Sequence, residues 1–179
     1  MTADILSHRL TTSGWGKALI LGALSFALTL FCIELIMVNG NISPLWFPTT
    51  LMTVVVFRHS LAALLPLLLS CLVGVVLANA LMLGVSWANI SFPLVNLLQA
   101  LAGGFLLRRV LDRKAPLSSL SSWYKMLAAI GVAAPLFGGL LANGLLNDAG
   151  APPLHFIATW AISEMIGMLA LAPVCLLWR

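Results

Sequence analysis

The sequence predicts an all-α, polytopic membrane helix bundle of about six transmembrane helices, with both termini inside. Three observations carry this. Of 179 residues, 61% are hydrophobic and 8% charged, against about 25% charged in an ordinary soluble domain. The mean hydropathy is +1.09, and the apolar residues fall in runs near the roughly 20 needed to cross a hydrocarbon core. The 9 Lys and Arg residues stand before, between or at the ends of the runs, at every second boundary. Such a composition excludes a disordered chain, a soluble globular enzyme and a disulfide framework.

Residues 1–16 hold Asp4, His8 and Arg9 and form a cytoplasmic N-terminal segment. No A-x-A site closes a short apolar core, so the first run is expected to stay as a helix rather than leave as a signal peptide. That run, 17–38, ends at Asn39-Gly40-Asn41. The second, 43–57, contains Pro44 and Pro48. At 1.5 Å per residue it reaches only about 23 Å, less than the roughly 30 Å of hydrocarbon. Either Arg58 snorkels to make up the difference, or the segment is a re-entrant hairpin. The third run, 60–83, follows Arg58-His59, and the fourth, 89–107, ends at Arg108-Arg109. The fifth is 121–146. The sixth, 154–178, is preceded by Asn147-Asp148-Ala149-Gly150-Ala151-Pro152-Pro153.

Orientation follows from the cations, because Lys and Arg concentrate in cytoplasmic loops. With the N-terminus inside and six crossings, Arg9, Lys17, Arg58, Arg108, Arg109, Arg113, Lys114, Lys125 and Arg179 all fall on one side, and Asp148 on the other. A re-entrant second segment breaks this pattern by placing 108–114 outside. The net charge of +4 is thus a topology signal facing anionic lipid headgroups, and no nucleic-acid partner is expected.

Catalysis has little support. Cys32, Cys71 and Cys175 lie inside apolar runs without CxxC spacing and read as small buried hydrophobes. His8, His59 and His155 are scattered, the last two on opposite sides. No nucleophile elbow, HExxH, P-loop or dinucleotide fingerprint is present, so no metal or cofactor is expected. Asn41-Ile42-Ser43 and Asn89-Ile90-Ser91 match a sequon short enough to occur by chance.

The informative polar residues lie within the runs. Glu34 and Glu164 are the acids there, and a charge at the centre of a span costs at least about 2.5–3.5 kcal/mol. Glu34 stands near the outer end of its run, within reach of the interface. Glu164 is nearer mid-span, and Trp160, Gly167 and Met168 share its helical face. It serves either as an inward-facing ligand or protonation site or as a helix–helix hydrogen bond to Asn96 or Gln99. Asn96 and Gln99 share one face with Gly103, while Asn79 and Asn143 sit in neighbouring runs. Amides in lipid face the bundle interior, so this set lines a central pocket or acts as interhelical glue. Pro48, Pro66, Pro93, Pro135 and Pro173 favour kinks. Gly131, Gly139 and Gly144 suit close packing.

Three stretches in order resemble the MASE1 family of bacterial membrane-associated sensor domains. They are Pro44-Leu45-Trp46-Phe47-Pro48-Thr49-Thr50; Asn96-Leu97-Leu98-Gln99-Ala100 with Gly103-Gly104 and Leu106-Leu107-Arg108-Arg109; and Trp160-Ala161-Ile162-Ser163-Glu164-Met165-Ile166-Gly167 with Ala170-Leu171-Ala172-Pro173. Ser70-Cys71-Leu72-Val73-Gly74 and Ala78-Asn79 are also similar. Gln99 stands where members commonly have Glu. The resemblance covers roughly 17–178 and implies an input domain of the bacterial inner membrane, placed before a cytoplasmic diguanylate cyclase, phosphodiesterase, PAS or histidine-kinase module. No output domain lies in these residues, so the chain is expected to be a sensor fragment or a stand-alone module without enzymatic activity of its own. The expected interior set is Glu164, Trp160, Asn96, Gln99, Asn79, Trp46 and Pro48, with Glu34 a further candidate. The expected partners are membrane lipid, a signalling output, a small-molecule ligand and a second copy of the chain. The rival readings are a small-solute binding or transport subunit and a scaffold that localises or dimerises its partner.

Overall fold

The computed structural model describes residues 2–39, 44–147 and 152–178, with the backbone alone for 2–13 and 37–39. The turn at Gly40-Asn41, the first sequon, Asp148 and Arg179 lie outside the described residues, as do the side chains of Asp4, His8 and Arg9. The elements are α1 (Thr2–Asn39), α2 (Pro48–Arg58), α3 (Leu61–Leu83), α4 (Trp87–Val110), α5 (Leu120–Met126), a π-helical turn (Leu127–Ala133), α6 (Ala134–Leu146) and α7 (Pro153–Leu177). No strand occurs among the described residues.

Five helices are long and apolar enough to cross a membrane: Gly14–Ile36, Leu61–Leu83, Trp87–Val110, Leu120–Leu146 and Pro153–Leu177. The fourth joins α5, the π turn and α6 into one rod. Pro135 lies just beyond that turn and has no N–H to give, and the Ala134 N–H reaches back to the Ala129 carbonyl, five residues away.

The second crossing is built differently. Non-helical backbone at 45–47 leads into α2, which has 11 residues, a length of about 16 Å. Pro48 suits the first helical turn, where a missing N–H costs nothing. Every residue from Pro48 to Phe57 is buried, because α2 is enclosed by α3, α4 and α7. Irregular backbone at membrane depth is tolerated where protein covers it.

Close contacts fix the direction of each helix. A Cβ on Gly22 would meet Ser70, and one on Gly74 would meet the Gly22 carbonyl. Ser70 Oγ donates to the Ala18 carbonyl at 2.5 Å. These pairs rise together in sequence, so α1 and α3 run parallel. Gly103 lies against Ala134 while Gln99 lies against Gly138, and Gly131 lies against Leu169 while Gly139 lies against Ile157. So α4 runs antiparallel to α6, which runs antiparallel to α7. Successive crossings alternate, and α2 traverses the bundle instead of turning back.

Alternation brings cations to one end. Lys17, Arg58, Arg108 and Arg113 all act electrostatically on His59, in the loop between α2 and α3. There arginines satisfy the carbonyls of other elements. Arg58 Nη2 donates to Cys175 O at 3.0 Å, Leu176 O at 2.7 Å and Trp178 O at 2.6 Å. Arg108 Nε donates to Val56 O at 2.6 Å, and its Nη2 to His59 O. Arg113 Nη2 donates to Arg58 O at 2.5 Å. Cations at helix C-termini also complement the negative end of the macrodipole. An apolar core of Val54, Phe57, Leu107, Met126, Ile130, Met168 and Leu176 fills the space above this collar.

Candidate functional site

The site lies where α2 begins. Glu164 is the twelfth residue of the 25-residue α7, so its carboxyl sits near mid-span, and it is 3% exposed. Thr49, in the first turn of α2, donates its hydroxyl to Glu164 Oε1 at 2.9 Å. Thr49 is placed there because Pro48 starts a helix inside the bundle and α2 runs parallel to the second half of α7. The other carboxylate oxygen, Oε2, is buried without a hydrogen-bond partner.

One turn earlier on α7, Trp160 Nε1 donates to Gln99 Oε1 at 3.0 Å. The indole stacks on Phe92 at 5.5 Å and on Phe156 at 6.5 Å between ring centroids. With its oxygen held, Gln99 turns its amide nitrogen toward the Glu164 carboxyl, outside strict hydrogen-bond geometry. Gly138 makes room for Gln99, since a Cβ there would overlap the amide. One turn later on α7, Gly167 lies against the backbone of Trp46. Phe47 is tied to α1 by stacking on Phe31 at 6.2 Å and by its N–H on Cys32 Sγ at 3.5 Å.

Beyond the loosely facing Glu164 Oε2 and Gln99 Nε2, the interior holds buried polar atoms with no hydrogen-bond partner: Asn96 Oδ1, Thr50 Oγ1 and Trp46 Nε1. Buried polar groups are usually satisfied, and each unmet one costs about 1–3 kcal/mol. These atoms gather around the start of α2, from α4, α7 and the segment ahead of α2. The first-turn N–H groups of α2 add positive potential at the same place. The arrangement can hold a proton or a small polar molecule by hydrogen bonds, and it presents no nucleophile–base pair. No group of three or more metal-ligating side chains occurs among the described residues.

Residues 17–179 match the MASE1 family. This chain belongs to the MASE1 family. With its five membrane-length helices, it is a multi-pass membrane protein. The MASE1 bundle is similar to the probable diguanylate cyclase DgcE of Escherichia coli (strain K12), at 36% identity over 159 residues. That alignment covers 89% of this chain and 14% of DgcE, so the chain spans a small part of its relative's length. No solved structure matches it.

The MASE1 bundle sorts the expected interior set. Glu164, Trp160 and Gln99 meet between α7 and α4, Pro48 is buried next to Thr49, and Asn96 is buried one turn from Gln99. Trp46 contributes its backbone against Gly167. Asn79 belongs elsewhere: its Nδ2 donates to the Asn89 carbonyl at 3.2 Å, pinning the turn between α3 and α4. Asn143 bonds Asn147 at 2.9 Å. Glu34 is exposed on α1. Thr49, the direct partner of Glu164, is absent from the expected set, although it lies beside Pro48 in the motif that carries the resemblance.

Proposed function

We propose that this chain is a sensory input domain of a bacterial inner membrane, and that it regulates a cytoplasmic signalling output, a diguanylate cyclase making cyclic di-GMP. The cyclase assignment draws on the similarity to the probable diguanylate cyclase DgcE, of which the chain covers 14%. In this reading the bundle is not itself an enzyme, and its output lies past the end of α7.

The observation that carries the reading is that α2 is bonded to α7 at both ends. Thr49 holds Glu164 at mid-span, and Arg58 holds the last carbonyls of α7. A ligand or proton that changes the bonding of Glu164 shifts the start of α2, and Arg58 carries the shift to the exit of α7. Such a ligand biases the bundle only through different affinity for its two states.

The test is a fusion of the chain, after Arg179, to a diguanylate cyclase domain, with cyclic di-GMP measured per unit of membrane-inserted protein. Glu164→Gln keeps the shape and removes the ionisable carboxyl. It should change output by about fivefold or more, the low end of ordinary allosteric coupling. Unchanged output at normal protein level sinks the role of Glu164. Solute uptake by the bundle alone points to transport, and full output from unrelated spans points to a scaffold.

A further inference from the structure

A cavity of about 160 Å³ lies at the basic end, between the 111–119 loop, the end of α2 and the end of α7. Arg58, Arg113, Lys114 and Ser118 line it, and among the described residues no carboxylate does. The nearby Asp112 turns its Oδ1 to the Lys114 backbone N–H at 2.9 Å. The rest of the wall is apolar, with Leu117 and Leu176 buried beneath it.

The donors have spare capacity. All three bonds of Arg58 use Nη2, and Arg113 donates through its own Nη2 to the Arg58 carbonyl. Among the described residues that leaves Nε and Nη1 of both guanidiniums, and the Lys114 ammonium, without an acceptor. Two planar guanidiniums, an ammonium and a hydroxyl around one hollow suit the several oxygens of a phosphate group, which takes parallel charge-assisted bonds. The hollow lies at the basic end of the bundle, beside the ends of α2 and α7, and its apolar wall suits the first carbons of an esterified phosphate.

We propose that this cavity is a phosphate-binding site, filled by the headgroup of an anionic phospholipid or by free phosphate. Because Arg58 also holds the end of α7, the occupant sits on the segment that leaves the bundle.

The purified chain is placed in nanodiscs in two arms. One is phosphatidylcholine with a minor fraction of phosphatidylglycerol, read by native mass spectrometry for retained lipid. The other is phosphatidylcholine alone with inorganic phosphate added at constant ionic strength, read by thermal unfolding. Arg113→Gln/Lys114→Gln should cut phosphatidylglycerol retention roughly thirtyfold, the scale for two basic side chains at an anionic surface. Lys114→Gln alone, which removes no protein contact among the described residues, should cut it roughly fivefold. The control Arg109→Gln/Lys125→Gln, on the same end but outside the cavity, removes the same charge and should cut retention clearly less than the cavity pair. Loss confined to the first arm assigns a lipid headgroup, and phosphate stabilisation that vanishes in the cavity variants assigns free phosphate. Equal loss in the control, or no effect of the cavity variants in either arm, overturns the site.

Discussion

Gly167 faces the backbone of Trp46 so closely that a single added methyl group would overlap the Trp46 carbonyl. The contact presses the irregular strand ahead of α2 onto the middle of α7, one turn from Glu164. Gly167→Ala forces the two apart. It is expected to destabilise by about 1–3 kcal/mol, the usual cost of overpacking, measured by SDS titration of the purified protein. In the cyclase fusion it should also alter output in the same direction as loss of the Thr49 hydroxyl, since both displace the start of α2.

The Thr49–Glu164 bond is testable as a pair. Hydrogen bonds between transmembrane helices average about 0.6 kcal/mol in double-mutant cycles, with a maximum near 1.7. Thr49→Val, Glu164→Gln and the double variant should give a coupling energy in that range. A coupling of zero means that the hydroxyl and the carboxyl do not meet in the folded protein.

Arg58 is expected to matter by geometry more than by charge. One of its nitrogens serves three carbonyls of the α7 end, which the ammonium of a lysine is poorly placed to copy. Arg58→Lys should insert normally, yet show faster hydrogen exchange over 174–178. In the fusion it should blunt the effect of Glu164→Gln on output. Protection of that segment equal to wild type counts against the connection.

His59 supplies a pH dependence. Burial, and then the charges of Lys17, Arg113, Arg58 and Arg108, push its pKa below the usual 6.5. The folded state therefore binds the proton less readily than the unfolded chain. The stability contributed is fully present above about pH 6.5, and it is lost as pH falls from there through the lower folded value. Wild type should lose resistance to SDS between pH 7 and 5.5, and His59→Asn should lose less. Parallel curves for the two proteins would show that another group titrates.

Sequence reasoning reached different depths in different places. The cations at every second boundary of the runs announced an alternating topology, and the fold gathers Lys17, Arg58, Arg108 and Arg113 around His59. Trp160, Glu164 and Gly167 were legible as one face, because an acid in an apolar helix must turn inward and its neighbours at helical spacing turn with it. Asn79 and Glu34 were harder to place. When the solvent is as apolar as the core, a span shows little hydrophobic periodicity to reveal which side is buried. Thr49 was missed for a related reason: threonine is common in spans, and its partner lies 115 residues away. The brevity of the second apolar run was visible. Its resolution into 45–47 plus a buried half-length helix was not, because that depends on the helices that enclose it.

The π turn at Leu127–Ala133 sets the phase of everything beyond it. One residue more per turn rotates the rest of the rod by about 100° relative to an unbroken α-helix. That rotation lets a single rod present Met126 and Ile130 to the core beside the collar and Gly138 to Gln99. Removing one residue from the turn would keep the rod apolar and long enough to cross, yet swing Gly138 out of line and put a different side chain against the Gln99 amide. Hydropathy does not register such a deletion. The turn acts as a phase shifter, and the number of residues within it matters more than their identity.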